Sequence, residues 1–261
     1  MDKAILLGVV EGLTEYLPVS STGHLILFGD LLSYTDEKAK TFSIFIQTGA
    51  ILAVVILYWR RFWLLLDFSN NSGFTGNKGI LKLFVASLPA FILGALFHSS
   101  IKMYLFNSFS VALAFIVGAV IMLLVEGKFS TSQPSESLES LSFRKCFLIG
   151  LAQCAALWPG MSRSASTIIG GMLTGLDRKS AAEFSFLVAV PVLSAAALYD
   201  LLKSWSHLTA QDLPDFIVGF VVSFLVAALA IKTFIAFLSK FTLRPFAYYR
   251  ILVGVGLIFW T

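Results

Sequence analysis

Two polar clusters stand out in a chain that is otherwise strongly apolar. The first runs from Glu11 to Leu25 as EGLTEYLPVSSTGHL and contains two carboxylates, several hydroxyls and a histidine. The second runs from Pro159 to Thr167 as PGMSRSAST. Hydrophobic residues make up 57% of the chain and charged residues only 13%, so polar clusters that are buried here indicate functional sites. We predict that the two clusters meet inside a membrane and handle a phosphate.

The two carboxylates of the first cluster indicate a cation site. Glu11 and Glu15 are four residues apart, so they share one face of a helix. Carboxylates this close repel each other unless a cation or a proton lies between them. Mg²⁺ is commonly held by one or two carboxylates together with substrate phosphates. We therefore predict that Glu11 and Glu15 hold a divalent cation, and a solvated helix face or a pair neutralised by lysine is the alternative.

The hydroxyls of the first cluster indicate an anion site at the start of a helix. Ser20, Ser21 and Thr22 lie where a short helix is predicted to begin, and a helix N-terminus offers free N–H groups and partial positive charge. Gly23 allows close approach of the backbone to a ligand. His24 follows Ser21 by about one turn and is placed to activate its hydroxyl or to shuttle a proton. The alternatives are a simple helix cap and a histidine packed in the core.

The second cluster repeats this pattern with a different charge. Ser162, Arg163 and Ser164 also begin a predicted helix, and the planar guanidinium of Arg163 suits phosphate oxygens. A buried arginine needs an anionic partner, either a glutamate of the first cluster or a substrate phosphate, and a purely structural Arg–Glu pair is the alternative. Gln153 occupies the position that Glu11 has in the first hairpin. Because only the first hairpin keeps the carboxylates, we expect one active site.

Composition defines the broad class. The mean hydropathy is +0.86, and several apolar runs approach the roughly 20 residues that cross a bilayer. An ordinary soluble domain would carry about 25% charged residues, so we predict an all-α integral membrane protein. The formal net charge of +4 reflects lysines and arginines in loops, and no nucleic-acid partner is expected.

The apolar runs predict about six transmembrane helices and two re-entrant helical hairpins. The hairpins are broken by Pro18 and Pro159, because neither of their halves is long enough to cross a bilayer. A single helix kinked at Pro18 is the alternative for the first hairpin. The predicted spans are Phe42–Trp59, Leu83–His98, Phe106–Val125, Ala181–Leu202, Phe216–Ile231 and Phe246–Trp260.

The order of these elements predicts a repeat. The breaking prolines recur at nearly the same spacing as Phe42-Ser43 and Phe184-Ser185. We predict one membrane domain, residues 1–261, with repeat halves 1–126 and 143–261. Three spans in each half make the repeat inverted, an arrangement known from transporters. Lysines and arginines are more frequent in the loops that contain Arg60 and Arg144, so that side is predicted to be cytoplasmic and both termini to lie outside.

The motifs EGLTEYLPVSSTGH at Glu11–His24 and PGMSRSAST at Pro159–Thr167 strongly resemble those of the bacterial undecaprenyl-diphosphatase family, also called the bacitracin-resistance protein family. The resemblance extends over essentially the whole chain. It implies hydrolysis of the polyprenyl lipid undecaprenyl diphosphate to undecaprenyl phosphate and inorganic phosphate, which recycles the carrier of cell-wall precursors. It also implies a divalent cation, Mg²⁺ or Ca²⁺, and a multi-pass protein of the bacterial inner membrane with an active site that opens to the outer (periplasmic) face. A homodimer is one option left open.

The resemblance also implies roles for individual residues. Glu11 and Glu15 correspond to the acidic pair, and Ser21 with His24 to the catalytic hydroxyl and its proton partner. The diphosphate would be bound by Ser162, Arg163 and Thr167. Our hypothesis for the mechanism is attack of Ser21 on the terminal phosphorus, and attack by a metal- or glutamate-activated water is the alternative.

Three other classes of membrane protein fit the sequence less well. An inverted-repeat transporter or lipid flippase would use similar broken helices, but the acidic pair lies in one half only. A PAP2-type lipid phosphatase would need a histidine downstream of its SR motif, whereas SRSAST leads to Asp177 with no histidine nearby. A purely structural membrane protein does not explain a buried Arg163, His24 and acidic pair.

Overall fold

All regular elements are helical in the part of the chain that the computed structural model describes, residues 1–69, 72–128, 137–204 and 210–260. This confirms the predicted all-α class. The α-helices of these ranges are, in chain order, α1 (Asp2–Thr14), α2 (Ser21–Leu31), α3 (Glu37–Leu57), α4 (Trp59–Leu65), α5 (Gly76–Tyr104), α6 (Ser108–Lys128), α7 (Phe143–Gln153), α8 (Arg163–Leu173), α9 (Arg178–Ser204), α10 (Leu213–Leu238) and α11 (Arg244–Trp260).

Long apolar helices form the membrane-spanning part of the fold. Within the described residues, five helices are long and apolar enough to cross a bilayer, namely α3, α5, α6, α9 and α10. The sixth expected span is α11, which has 17 residues and is shorter than these five. The short helix α4 lies beyond the first predicted span, which ends at Trp59, and contains Arg60, a residue that the sequence predicts in a loop. The chain is a multi-pass membrane protein.

The two predicted hairpins are both present as pairs of short helices. Helix α1 has 13 residues, and α2, α7 and α8 have 11 each, so each is about 16–20 Å long and shorter than the ~30 Å hydrocarbon core. Pro18 and Pro159 stand at the breaks, where the missing N–H and the restricted preceding residue stop a helix. The first hairpin is therefore not a single kinked helix.

A serine begins the second helix of each hairpin in an unusual backbone conformation. Ser20 and Ser162 both have φ of 71°, with ψ of 95° and 114°. The Ser20 hydroxyl accepts a hydrogen bond from the amide of Gly23 at 3.4 Å, and that of Ser162 from the amide of Ala165 at 3.1 Å. Positive φ at a non-glycine residue stores strain, and such residues concentrate at functional sites.

The helices of the two hairpins, and the long helices that follow each hairpin, make matching contacts. Helix α1 packs on α10, and α7 packs on α5, whereas α3 packs on α9 and α6 on α11. Glycines permit the close approaches: a Cβ at Gly8 would lie 2.8 Å from the carbonyl oxygen of Gly219, and one at Gly150 would lie 2.5 Å from that of Ala86. The first arm of each hairpin is therefore held by a long helix that follows the other hairpin in the chain.

A buried ion pair closes one end of the helix bundle. Glu126, at the end of α6, accepts hydrogen bonds from Arg178 Nε at 2.8 Å and Nη2 at 2.5 Å, and from the amide of Leu243 at 2.8 Å. These contacts join α6 to the starts of α9 and α11. Saturating a buried carboxylate in this way avoids the penalty of an unpaired charge in an apolar setting.

Candidate active site

A cavity of about 260 Å³ lies where the breaks of the two hairpins meet. Its wall also includes residues of α3, α5 and α9. The structure therefore brings the two polar clusters together, although their motifs are far apart in the chain. The polar side chains that line the cavity are those of Glu15, Ser20, Ser21, Thr22, Gln47, Gln153, Ser162 and Arg163.

The carboxylate of Glu15 is the centre of the hydrogen-bond network in this cavity. Its Oε2 accepts a hydrogen bond of 2.5 Å from Ser21 Oγ and one of 3.4 Å from Gln47 Nε2. Its Oε1 accepts one of 2.9 Å from Arg163 Nη2. Glu15 is only 6% exposed, so the guanidinium balances its charge in a medium of low dielectric constant. A potential nucleophile, a carboxylate acceptor and a fixed cation are thus in direct contact.

Residues behind the cavity wall hold Arg163 in place. Its Nη1 donates to the carbonyl oxygen of Ser185 at 3.0 Å and to the Ser185 hydroxyl at 3.1 Å. Thr167 Oγ1 lies 2.6 Å from the same hydroxyl, and the guanidinium lies 5.6 Å from the ring centre of Tyr16. The buried Nε of Arg163 has no hydrogen-bond partner among the described residues. Thr167 therefore orients Arg163 through Ser185 and does not line the cavity as a phosphate ligand.

The other predicted phosphate ligands divide into two groups. Ser20, Thr22 and Ser162 line the cavity. Ser164 and Gly23 are not part of the described cavity wall, because both pack against neighbouring elements. Ser164 Oγ donates to the carbonyl oxygen of Tyr16 at 2.7 Å. The space left by the missing side chain of Gly23 is filled by the ring of Phe115, which a Cβ would approach to 2.2 Å.

His24 forms hydrogen bonds to groups other than Ser21, its predicted partner. Its Nδ1 lies 2.7 Å from the carbonyl oxygen of Ser20, and its Nε2 lies 2.7 Å from the hydroxyl of Tyr249. A carbonyl oxygen only accepts, which assigns a hydrogen to Nδ1. Both ring nitrogens are thus occupied, and Ser21 turns instead toward Glu15. The expected Ser21–His24 pair is not formed because the first turn of α2 directs the two side chains to different neighbours.

Glu11 lies one helical turn before Glu15 and is fully buried. Neither of its carboxylate oxygens has a donor within hydrogen-bonding distance in the described part of the chain, and the carboxylate of Glu15 lies beside it. An unpaired buried carboxylate needs a proton or a cation, so Glu11 fits the donor set of a divalent cation. Among the described residues, no group of three histidine, cysteine or acidic side chains could hold a metal ion. Hydroxyl or phosphate oxygens would have to complete the shell, as Mg²⁺ allows.

Arg250 is a positioning residue that the sequence analysis did not identify. It is fully buried in α11 and has no acidic partner among the described residues. Its guanidinium donates to carbonyl oxygens on α6 and at both hairpin breaks, and so ties the three elements together. The accepting carbonyl groups belong to Pro18, Ala114, Phe115, Gly160 and Met161, at 2.9–3.4 Å. An arginine inside a predicted span was the available signal, but only the fold reveals its partners.

The all-helical membrane fold and this cavity define a polytopic membrane protein whose buried site joins a serine, a glutamate and an arginine across two broken helices. Its family follows from comparison with known proteins. The family model described as "Bacitracin resistance protein BacA" matches residues 4–256, and the chain belongs to this family. The resemblance stated on the two motifs is thereby confirmed.

Similar proteins cover the chain almost completely. The undecaprenyl-diphosphatase of Maridesulfovibrio salexigens is 54% identical over 99% of this chain and 98% of its own length. That of Nitratidesulfovibrio vulgaris is 55% identical over 97% and 96%. Undecaprenyl-diphosphatase 1 of Bacillus thuringiensis is 48% identical over 97% and 95%. The similarity therefore includes both hairpins and all the long helices.

Proposed function

We propose that the protein hydrolyses undecaprenyl diphosphate to undecaprenyl phosphate and inorganic phosphate, and so recycles the lipid carrier for cell-wall synthesis. Relatives named undecaprenyl-diphosphatase match nearly the whole chain. The observation that carries the proposal on the structural side is the contact of Ser21 and Arg163 with the same carboxylate, Glu15, inside the cavity. Nucleophile, proton acceptor and phosphate-binding cation are the parts that phosphoryl transfer requires.

Substrate binding in this proposal relies on the two helix starts. The diphosphate enters the cavity and takes hydrogen bonds from Arg163, Ser162, Ser20 and Thr22, which all line it. The free N–H groups and partial positive charge at the start of α8 favour the anion. Arg163 has a further donor, because its Nε has no partner from the described residues. The prenyl chain extends out of the cavity along apolar residues of α9 such as Val192 and Leu193, which line the same cavity.

The chemistry in this proposal begins at Ser21. Its oxygen attacks the terminal phosphorus while its proton passes to Glu15, to which it is already hydrogen-bonded. The bond between the terminal phosphorus and the bridging oxygen breaks, and undecaprenyl phosphate leaves with the electron pair. A water then attacks the phosphoserine and releases inorganic phosphate, and Ser21 regains a proton. In the alternative route, water attacks the substrate directly with Glu15 as base.

Trapping a phosphorylated Ser21 separates these routes. A phosphoserine in protein quenched during turnover supports the serine route. Ser21→Ala protein that keeps nearly wild-type phosphate release would eliminate it and leave direct attack by water. In both routes His24 positions the start of α2, because its Nδ1–H binds the carbonyl group of the strained residue Ser20.

A divalent cation is part of the proposal, with Mg²⁺ or Ca²⁺ as the candidates. Glu11 and Glu15 would hold it, and the unpartnered oxygens of Glu11 support this assignment. When bound, such an ion offsets negative charge on phosphate oxygens. Removal of divalent ions with a chelator is therefore expected to abolish phosphate release, and adding back Mg²⁺ to restore it.

We further propose the inner membrane as the location, with both termini and the cavity mouth on the outer side. The support is the excess of lysine and arginine in the loops of the opposite side, for example at Arg60 and Arg144. A homodimer stays a prediction.

We also propose that residues 1–126 and 143–261 are inverted halves of one membrane domain. Matched backbone angles at Ser20 and Ser162 and matched glycine contacts at Gly8 and Gly150 support this assignment. The transporter alternative is not favoured, because the relatives are named as diphosphatases over nearly the whole chain.

The decisive experiment measures phosphate release from undecaprenyl diphosphate by purified protein in detergent, with Mg²⁺ or with a chelator. Wild-type protein should release phosphate only with the ion, and Arg163→Ala should abolish release. Folded wild-type protein that releases none under either condition would contradict the proposal.

A further inference from the structure

Gln153 presents an unused hydrogen-bond acceptor in the cavity wall. It is the last residue of α7, is 2% exposed and lines the cavity with Glu15, Ser21 and Arg163. Its Nε2 donates to the carbonyl oxygen of Ala86 on α5 at 3.4 Å. Its Oε1 is buried without a hydrogen-bond partner among the described residues. A buried acceptor without a donor destabilises the fold, so an unpaired one at a reactive site calls for a function.

The hydrogen-bond network decides which way this amide points. Exchanging its oxygen and nitrogen would bring Oε1 against the Ala86 carbonyl oxygen, which also only accepts. The observed orientation therefore keeps the amide nitrogen on α5 and leaves the oxygen for a ligand. Gln153 thus differs from Gln47, the other glutamine in the wall, whose Nε2 donates to Glu15.

The chemistry of the ligand follows from this oxygen. Oxygens of an ionised phosphate accept hydrogen bonds, so the substrate diphosphate does not satisfy Oε1. A cation would bind Glu11 more strongly, since that residue carries two unpartnered oxygens and a negative charge. A water molecule remains, and the proposed reaction consumes one. A neutral amide also holds water beside an anion without the repulsion that a carboxylate would add.

We propose that Gln153 is a positioning residue that accepts a hydrogen bond from the hydrolytic water and directs its oxygen at the phosphorus. This inference rests on the proposed function. In the serine route, Glu15 has by then passed the proton of Ser21 to the departing undecaprenyl phosphate. One O–H of the water binds Oε1 while the other proton passes to Glu15 as the new oxygen–phosphorus bond forms, and in the serine route Glu15 passes this proton on to Ser21. The bond that breaks is the one to Ser21 in the serine route, or the one to the bridging oxygen in direct attack. The amide itself neither gains nor loses a proton.

The test lets water compete with methanol. Attack by water yields inorganic phosphate, and attack by methanol yields methyl phosphate, so their ratio measures how well the site selects water. In Gln153→Met protein we expect kcat to fall about 10²-fold, KM to stay near the wild-type value, and the methyl phosphate fraction to rise several-fold. A general loss of structure would lower both products together and leave the ratio unchanged.

Ser223→Ala is the matched control. Ser223 Oγ is also buried and unpartnered within the described ranges, but the residue lies on α10 and is not part of the described cavity wall. Its variant should keep the wild-type ratio. If Gln153→Met does not fold, Gln153→Leu also removes the acceptor oxygen and should raise the methyl phosphate fraction in the same way.

The outcomes separate this inference from the proposed function. Wild-type protein that releases no phosphate overturns both. Normal wild-type release with an unchanged ratio in Gln153→Met overturns the inference alone. A Gln153→Met protein with the wild-type ratio but a greatly raised Mg²⁺ requirement would make Gln153 a cation ligand, which also overturns it. An unchanged ratio in folded Gln153→Leu protein overturns it as well.

Discussion

The two hairpin breaks use the same backbone device for different chemistry. Both begin their second helix with a serine at φ of 71° whose hydroxyl caps that helix. The first break adds Glu15 and Ser21, whereas the second adds Arg163. In the proposed reaction, the reactive groups thus come from one hairpin and the fixed positive charge from the other. The difference teaches that a strained helix start, present at both breaks, supplies geometry, and that the side chains around each break take different roles.

The neighbours of the two breaks differ as well. At the first break, Gly23 leaves room for the ring of Phe115, whereas Ala165 occupies the corresponding place at the second. The carbonyl groups of both breaks bind the same residue, Arg250. The two breaks are therefore alike in backbone and joined by one guanidinium, but they are not interchangeable.

The largest effect is expected from removing the charge that links the breaks. In Glu15→Gln protein, Ser21 loses its proton acceptor and Arg163 its counter-ion, so phosphate release should fall about 10³-fold. The rate of phosphate release from undecaprenyl diphosphate measures this loss. Glu37→Gln, which changes an exposed carboxylate, should retain activity. Release by Glu15→Gln within a few-fold of wild type would show that the two hairpins do not share one site.

Arg250→Met tests whether one guanidinium holds both breaks. The variant leaves carbonyl groups of Pro18, Gly160 and Met161 without their donor, and we expect a loss of at least about 3 kcal/mol of stability. A lower Tm in detergent and reduced phosphate release would report it. Arg244→Met, on the same helix but exposed, is the control. Equal Tm values for the two variants would contradict the assigned role.

Gly23→Ala gives the first break the residue of the second. The new Cβ would lie 2.2 Å from the ring of Phe115, and relieving such overpacking typically costs about 1–3 kcal/mol. Thermal unfolding should show the loss, and the double variant Gly23→Ala with Phe115→Leu should recover part of it. A single variant as stable as wild type would mean that the two breaks are sterically equivalent.

The smallest effect is expected from the caps themselves. Ser162→Ala should lower stability by about 1 kcal/mol, because it removes the 3.1 Å bond to the amide of Ala165. Ser20→Ala should cost less, since its bond to Gly23 is longer at 3.4 Å. Paired unfolding measurements decide this order, and a reversed order would argue against ranking the caps by bond length.

Much of the fold could be predicted because its signals are local. Pro18 and Pro159 each interrupt an apolar run, and the serines that follow are strong cap residues. Helix α5 nevertheless begins at Gly76, before the predicted start of its span at Leu83, and α4 was not predicted. Both misses concern segments near the ends of spans, where apolar periodicity gives little information.

The site was predicted less completely, because long-range contacts decide it. The acidic pair, Ser21 and Arg163 were identified from residue type and apolar context. The partner of Ser21, however, depends on how the start of α2 is turned, and the structure selects Glu15 in place of His24. Thr167 lies behind Arg163 because Ser185, on a different helix, takes its hydrogen bond.

By itself the sequence determined the membrane class, the two broken helices and the residue types that gather there, since hydropathy, proline and helix caps act over a few neighbouring residues. Only the tertiary structure decided which of those side chains touch. Arg250 illustrates the reason: five carbonyl groups from three separate segments accept hydrogen bonds from its guanidinium. Every residue has a backbone carbonyl group, so the residue types do not indicate which of these groups will bind Arg250. Only the folded chain shows it.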